Sequence, residues 1–277
     1  MLLQNKIAII TGGSRGIGKT IARVFLREGA RVMLAARSED ELKETQKEFR
    51  ADFSGVEIFP FDVTKEEDNR NLIQRTIEAF GGVDILINGA GIYGPIGSSE
   101  SVDFRAWKQT YEINVFGTFS MIQHVVPVMK KIEKGKIVNF SGGGDGPLPR
   151  FSAYHSSKGA IVRLTETLGA ELKEFHIDVN AIAPGPVNTK FLEEALAAGP
   201  ERVGKKRYED LLKQKQEGGV PPERAAELCV FLSSDASDGL TGRFLSAVWD
   251  DWKHWDGKKI QAIMQTDAYT FRRVKEK

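Results

Sequence analysis

The sequence predicts one α/β domain, a doubly wound parallel sheet of about seven strands with helices on both faces. Two observations carry that expectation. Short runs rich in β-branched residues alternate with longer amphipathic stretches, the pattern left by repeated βαβ units. The short runs are also continuously apolar, as strands covered on both faces must be.

Taken in order, the first strand is expected at residues 7–10, where Ile-Ala-Ile-Ile runs into a glycine-rich loop. An amphipathic helix over 17–28 follows, then a strand at 31–35 and a helix at 40–49. Strands at 57–61 and 83–87 flank a helix at 66–80. A long helical stretch over 104–131 leads to a strand at 136–140, and another over 153–173 leads to a strand at 178–183. The segment between 188 and 217 is helical in pattern but strongly charged, as a solvated or mobile flap would be. A helix at 222–232 and a strand at 243–248 complete the alternation. There is no internal repeat, low-complexity tract or linker, so residues 1–248 read as one domain and 249–277 as a C-terminal extension.

The bulk numbers exclude several classes of function. A hydrophobic share of 41% in 277 residues supports a substantial core. Basic and acidic residues nearly cancel, 39 against 38, so nothing points to nucleic acid or an anionic membrane. Cys229 is the only cysteine, and His124, His155, His176 and His254 are scattered, which argues against a disulfide framework or a zinc motif and leaves no metal site expected. No apolar stretch is long enough to span a bilayer, and the chain enters its glycine loop without a signal-peptide pattern. A cytoplasmic location is the default expectation.

The loop is Thr11-Gly12-Gly13-Ser14-Arg15-Gly16-Ile17-Gly18-Lys19-Thr20. Between a strand and a helix, such glycines let backbone approach a pyrophosphate, which the free N–H groups of the helix then hold. Two motifs overlap here. Gly13 through Thr20 fits the G-x-x-x-x-G-K-[ST] loop of nucleoside triphosphatases, whereas Thr11 through Gly18 fits the T-G-x-x-x-G-x-G loop of dinucleotide-binding proteins. A triphosphatase also needs an acid on a later buried strand for Mg²⁺. Asp62 and Asp84 are available but sit at the edges of their runs.

Tyr154 and Lys158 form a Y-x-x-x-K pair in a helical stretch, and the spacing puts both on one face with Cβ atoms about 5–6 Å apart. A nearby ammonium favours phenolate and should bring the tyrosine pKa toward the working range of an acid/base. Ser141 ends the preceding strand, at the sheet edge where open α/β folds bind ligands. His155, beside the tyrosine, is expected on another helix face. Lys205, Lys206 and Arg207 are read as a solvated charged face in the flap. The sequon at Asn139 lies on a buried strand and is rejected.

With these motifs in order, residues 5–248 resemble the short-chain dehydrogenase/reductase family, whose fold is of the Rossmann type. Gly12, Ser14, Arg15, Gly16, Ile17 and Gly18 resemble its cofactor loop, and Asp62-Val63 its acidic pair at adenine. Asn88-Gly89-Ala90-Gly91 resembles the family's N-N-A-G stretch, with Gly89 replacing the second asparagine. Asn114 resembles the asparagine that holds a relay water, and Ser141, Tyr154 and Lys158 the catalytic serine, tyrosine and lysine. Pro184, Gly185, Val187 and Thr189 belong to a stretch similar to the nicotinamide loop. The resemblance implies hydride transfer between a nicotinamide cofactor and a small-molecule carbonyl or alcohol. Tyr154 would protonate the alkoxide, Ser141 would orient the carbonyl, and Lys158 would hold the nicotinamide ribose. Asn114 would help return the proton. The stretches 104–131 and 153–173 resemble the family's dimer-forming helices, so a homodimer or homotetramer is expected.

The end of the second strand bears on the cofactor. NAD-preferring members carry an acid there for the adenine ribose; here Ala36 stands in its place and Arg37 follows, with Arg15 in the glycine loop as a second cation. NADP(H) is therefore the expected cofactor, with NAD(H) as the lesser option. Alternatives from other classes are a P-loop triphosphatase, a non-catalytic dinucleotide-binding regulator and a sugar-nucleotide epimerase. In the extension, Trp249, Trp252 and Trp255 are expected to be at least partly buried, pinning the tail over the substrate entrance, a neighbouring subunit or the sheet edge.

Overall fold

The computed structural model describes residues 1–142 and 146–272. The elements run β1 (Ile7–Thr11), α1 (Gly16–Arg27), β2 (Arg31–Ala36), α2 (Glu39–Arg50), β3 (Val56–Pro60), α3 (Glu66–Phe80) and β4 (Ile85–Asn88). They continue with α4 (Phe104–Tyr111), α5 (Thr118–Lys131), β5 (Gly135–Phe140), α6 (Ser152–Leu172), β6 (Ile177–Ala183), α7 (Lys190–Val203) and α8 (Lys205–Glu217). Last come α9 (Pro222–Ser233), β7 (Phe244–Ser246) and α10 (Gly257–Met264). The seven strands form one parallel sheet in the order β3-β2-β1-β4-β5-β6-β7, as a doubly wound fold requires. Chain order reverses between β1 and β4, so their connections leave in opposite directions and open a crevice at the carboxyl edge.

The strands are apolar on both sides because both sides are covered. On β1, Ala8 and Ile10 join a cluster with Ile21 and Phe25 of α1 and Leu228 of α9. Ile9 between them joins the opposite cluster, with Leu72 of α3, Val125 of α5 and Leu168 of α6. Local chemistry fixes the helix ends. Ser38 caps α2 by accepting from the Glu41 backbone N–H, and Glu39, Asp40 and Glu41 in the first turn complement the helix dipole. Gly81 ends α3 in the left-handed region, at φ 97°.

Three elements differ from expectation. The stretch 104–131 is not one helix: α4 and α5 are separated by a π-helical turn, Glu112–Gly117, which carries Asn114. The charged segment resolves into α7 and α8, which meet at Gly204 with φ 90°, a conformation an L side chain resists. The last strand pairs only over Phe244–Ser246, because the Ser246 N–H then turns to the Asp250 carboxylate, 2.6 Å away.

The extension belongs to the main core. Trp252 is 5% exposed, and Ile260 and Ile263 of α10 are buried in the cluster that contains Leu228 and Leu245. Trp255 packs on Phe231 and Tyr269, and the Tyr269 carbonyl accepts from Phe244 N–H at 2.8 Å, closing the exposed edge of β7. Arg243 donates to the Ile263 and Thr266 carbonyls. The tail therefore caps the sheet edge. Trp249 departs from expectation: it is 79% exposed, because the turn at Ser246 and Asp250 directs it outward before Trp252 turns in. Among the described residues no helix is long and apolar enough to cross a membrane, and no group of His, Cys, Asp or Glu is placed to hold a metal ion.

Candidate active site

The carboxyl ends of β1, β4, β5 and β6 gather nearly all the residues singled out in the sequence. Thr11 ties the first two together: its hydroxyl accepts from the Gly89 and Ala90 N–H groups at 3.1 Å and donates to the Ile87 carbonyl. Gly12 has φ 71°, and a β-carbon there would stand 2.9 Å from the Gly89 oxygen. At Gly18 a β-carbon would come within 2.3 Å of the Gly12 oxygen, so only glycine lets α1 approach its own loop. Gly16 faces open space, with the Thr189 methyl as its nearest neighbour at 3.8 Å. The α1 N-terminus has no side-chain cap and no acid in its first turn, so its N–H groups are free for an anion. This cradle fits a dinucleotide pyrophosphate, and Val187 and Thr189 line the cavity that opens beside Gly16.

The P-loop alternative finds no support in this geometry. Lys19 points away from the loop and pairs with Glu48 at 2.6 Å, while the Thr20 hydroxyl is spent on the Gly16 carbonyl.

Asp62 accepts from the Thr64 N–H and hydroxyl at 3.0 and 2.8 Å. Burial pushes its carboxyl up, but those bonds and the Arg37 charge hold it below the usual carboxylate range. Val63 packs against Gly117 of the π turn. Asn88 is buried and donates to the Asn139 side chain at 2.9 Å, so its amide bridges β4 and β5 and does not face the crevice. Gly91 leads back over the site: a β-carbon there would lie 3.2 Å from Asn114 Oδ1 and 3.7 Å from Lys158 Nζ.

Tyr154 and Lys158 share the inward face of α6. Lys158 Nζ lies 5.7 Å from the Tyr154 ring centre and donates to the Phe140 carbonyl at 2.6 Å. Burial pushes the Lys158 ammonium down to about 8 and the Tyr154 phenol well above its ordinary value. The lowering of the tyrosine by its lysine, expected from spacing, is not seen: burial first, and then Tyr93, push the phenol up. The Tyr154 ring meets Tyr93 edge-on at 4.7 Å, and Phe191 of α7 lies 6.1 Å away.

Two of the expected catalytic side chains, Ser141 and Asn114, are engaged within the protein. Ser141 is buried, and its hydroxyl donates to the Lys158 carbonyl at 3.1 Å; the backbone that faces the phenol is Gly142, where a β-carbon would stand 2.9 Å from the Tyr154 hydroxyl. Asn114 has both amide donors engaged, on the Ile92 carbonyl and the Ser157 hydroxyl, while its Oδ1 accepts from Ile92 N–H. Its side chain clamps the loop after β4 to α6 and has no donor left for a water. Residues that spacing missed are Gly142, Tyr93, Phe191 and, in the glycine loop, Glu41 and Thr45 of α2; each acts across a distance in sequence that carries no local pattern.

A sheet that binds at its switch point, a glycine cradle and a half-buried tyrosine beside a buried lysine define a dinucleotide-dependent oxidoreductase. A family model, short chain dehydrogenase, matches residues 6–198. The chain is 32% identical to L-fucose dehydrogenase of Bos taurus, covering 84% of each, and 34% identical to an uncharacterized oxidoreductase of Thermotoga maritima, covering 89% of this chain and 97% of that one. Its fold is similar to NAD⁺-bound xylitol dehydrogenase, with TM-score 0.80 and 26% identity over 89% of this chain and 98% of the other. Levodione reductase is equally similar, with TM-score 0.80 and 26% identity over 94% and 99%. The chain belongs to the short-chain dehydrogenase/reductase family, and is an oxidoreductase acting on CH–OH groups. The family uses NAD(P)(H) and acts on small-molecule alcohols and carbonyls.

Proposed function

We propose that the protein is an NADP(H)-preferring enzyme that interconverts a carbonyl and a secondary alcohol, with Tyr154 as acid/base. The observation that carries this is the convergence of Gly91, Asn114, Tyr154 and Lys158 beside the glycine cradle. A nicotinamide dinucleotide bound along that cradle supplies the hydride. Tyr154 gives its proton to the developing alkoxide, and a phenol that burial keeps protonated suits this reductive direction. Lys158, anchored on the Phe140 carbonyl, orients the nicotinamide ribose and passes a proton to the tyrosine. Asn114 positions Lys158 by clamping the Ile92 backbone to α6. Ser141 can polarise a substrate carbonyl only after releasing the Lys158 carbonyl, which makes its role secondary to that of Tyr154. Tyr93 packs on both Tyr154 and Phe191 of α7, which brings an apolar surface of the flap beside the phenol, and the tests of substrate begin with L-fucose, xylitol and levodione.

The cofactor preference rests on Arg37, exposed just past the end of β2, together with Arg15 and the missing acid at Ala36. Arg37→Ala is expected to weaken NADPH binding by roughly tenfold and leave NADH nearly unchanged, as loss of one guanidinium–phosphate contact implies. Wild type binding NADH more tightly, or no loss in the variant, contradicts the preference. The pH dependence follows from Lys158. Its proton is lost as pH rises through about 8, so kcat/KM for NADPH, which reports the free enzyme, should fall on the alkaline side. A flat alkaline profile would show that the ammonium is not needed.

A cytoplasmic homodimer or homotetramer belongs to the same proposal. Phe104, Phe116 and Phe119 lie exposed along α4, the π turn and α5, an apolar face that a second copy would cover. Sedimentation analysis of wild type against Phe116→Glu tests it: a monomeric variant is expected, and an unchanged assembly would place the interface elsewhere.

A further inference from the structure

The glycine loop already holds an anion of its own. Ser14 is buried, and its hydroxyl donates to Glu41 Oε2 at 2.9 Å, while Arg15 Nη1 donates to Glu41 Oε1, also at 2.9 Å. One carboxylate thus takes a hydroxyl on one oxygen and a guanidinium on the other. The arrangement is held from both sides. Thr45, one turn further along α2, donates to the Ser14 carbonyl at 2.8 Å, and Ser38 accepts from the Glu41 N–H. On the sheet side, Gly12 and Gly13 donate to the Ala35 carbonyl at the end of β2. The carboxylate therefore lies where α2 meets the glycine loop, and Glu41 follows Arg37 by one turn of chain just past the end of β2.

We propose that Glu41 is a specificity-determining residue that competes with the ribose phosphate of NADP(H) for Ser14 and Arg15, and so keeps the enzyme usable with NAD(H). The inference rests on the proposal that the adenosine end of the cofactor lies against Arg15 and Arg37. A phosphate monoester offers the same acceptor oxygens as the carboxylate but carries more charge. It can take Arg15 only by displacing Glu41, or else it must sit beside a like charge. Displacement is cheap, because the Arg15 and Glu41 side chains are 52% and 37% exposed and an exposed ion pair is weak. A cofactor without the phosphate leaves the pair closed and meets no such competition. Glu41 thus lowers affinity for one dinucleotide and is neutral toward the other.

The test measures dissociation constants of the intact protein for NADPH, NADH and adenosine 2′,5′-bisphosphate, in wild type, E41Q and R37A. E41Q keeps an oxygen for Ser14 and removes the charge. It is expected to tighten NADPH and the bisphosphate by about three- to tenfold and to leave NADH within about twofold, the range of one exposed ion pair with its repulsion removed. Unchanged or weaker NADPH binding in a folded E41Q overturns the inference. If E41Q does not fold, E41D withdraws the carboxylate by one methylene at constant charge, and absence of any tightening there is equally decisive. The two proposals separate cleanly. Loss of NADPH in R37A with no gain in E41Q keeps the cofactor preference and removes Glu41 from it. Gain in E41Q with no loss in R37A keeps Glu41 and removes Arg37.

Discussion

Tyr154→Phe is expected to lower kcat by ~10²-fold or more while leaving the dissociation constant for NADPH within about twofold. The size follows from what is removed. The Tyr154 hydroxyl lies beside Gly142 and its ring packs edge-on against Tyr93. Phenylalanine keeps the ring, its contact with Tyr93 and the packing against Phe191. Only the proton is lost, so the effect should fall on turnover and not on assembly of the site. The variant also separates an enzyme from a dinucleotide-binding regulator, since a regulator has no use for the hydroxyl. Retention of near-normal kcat would remove Tyr154 from the chemistry.

The second large effect concerns stability. Truncation after Val248 is expected to leave a chain that does not fold cooperatively. It removes Trp252, Ile260 and Ile263 from the main core, and it strips Arg243 of the Ile263 and Thr266 carbonyls. Deleting a buried large apolar side chain costs about 2–5 kcal/mol, whereas a whole domain is stable by only ~5–15 kcal/mol. The opened edge of β7 and an unpartnered buried guanidinium add to the loss. A truncated protein melting within ~3 °C of wild type would contradict the structural role of the tail. The single substitution Trp249→Ala, by contrast, should change the melting temperature little, because that ring is 79% exposed.

How much of this was legible in the sequence depends on the range over which each feature is encoded. The sheet was legible because continuous apolar runs and amphipathic stretches are local signals, and all seven strands appear near their expected places. The glycine loop and the Tyr154–Lys158 pair were legible for the same reason, being patterns of a few residues. The break of the long helix at Asn114 was not, because the π turn is set by side-chain bonds to residue 92 and to Ser157. Ser141 lies just past the end of β5 as expected, but the bond of its hydroxyl to the Lys158 carbonyl was not legible because that partner is 17 positions away. Glu41 escaped notice because its partners lie 26 and 27 positions away. The tryptophans of the tail announced burial, but which of the three turns outward is fixed by the Ser246–Asp250 turn.

The most direct measurement of the central claim follows the hydride itself. NADPH carrying deuterium at the transferring carbon of its nicotinamide is mixed with the carbonyl compound turned over fastest by the wild type, and the product alcohol is analysed by mass spectrometry. The account predicts one deuterium on the carbinol carbon in the wild-type reaction, and labelled product formed ~10²-fold or more slowly by Tyr154→Phe although that variant still binds NADPH. Product alcohol without deuterium, or equal labelled product from the two proteins, would contradict it.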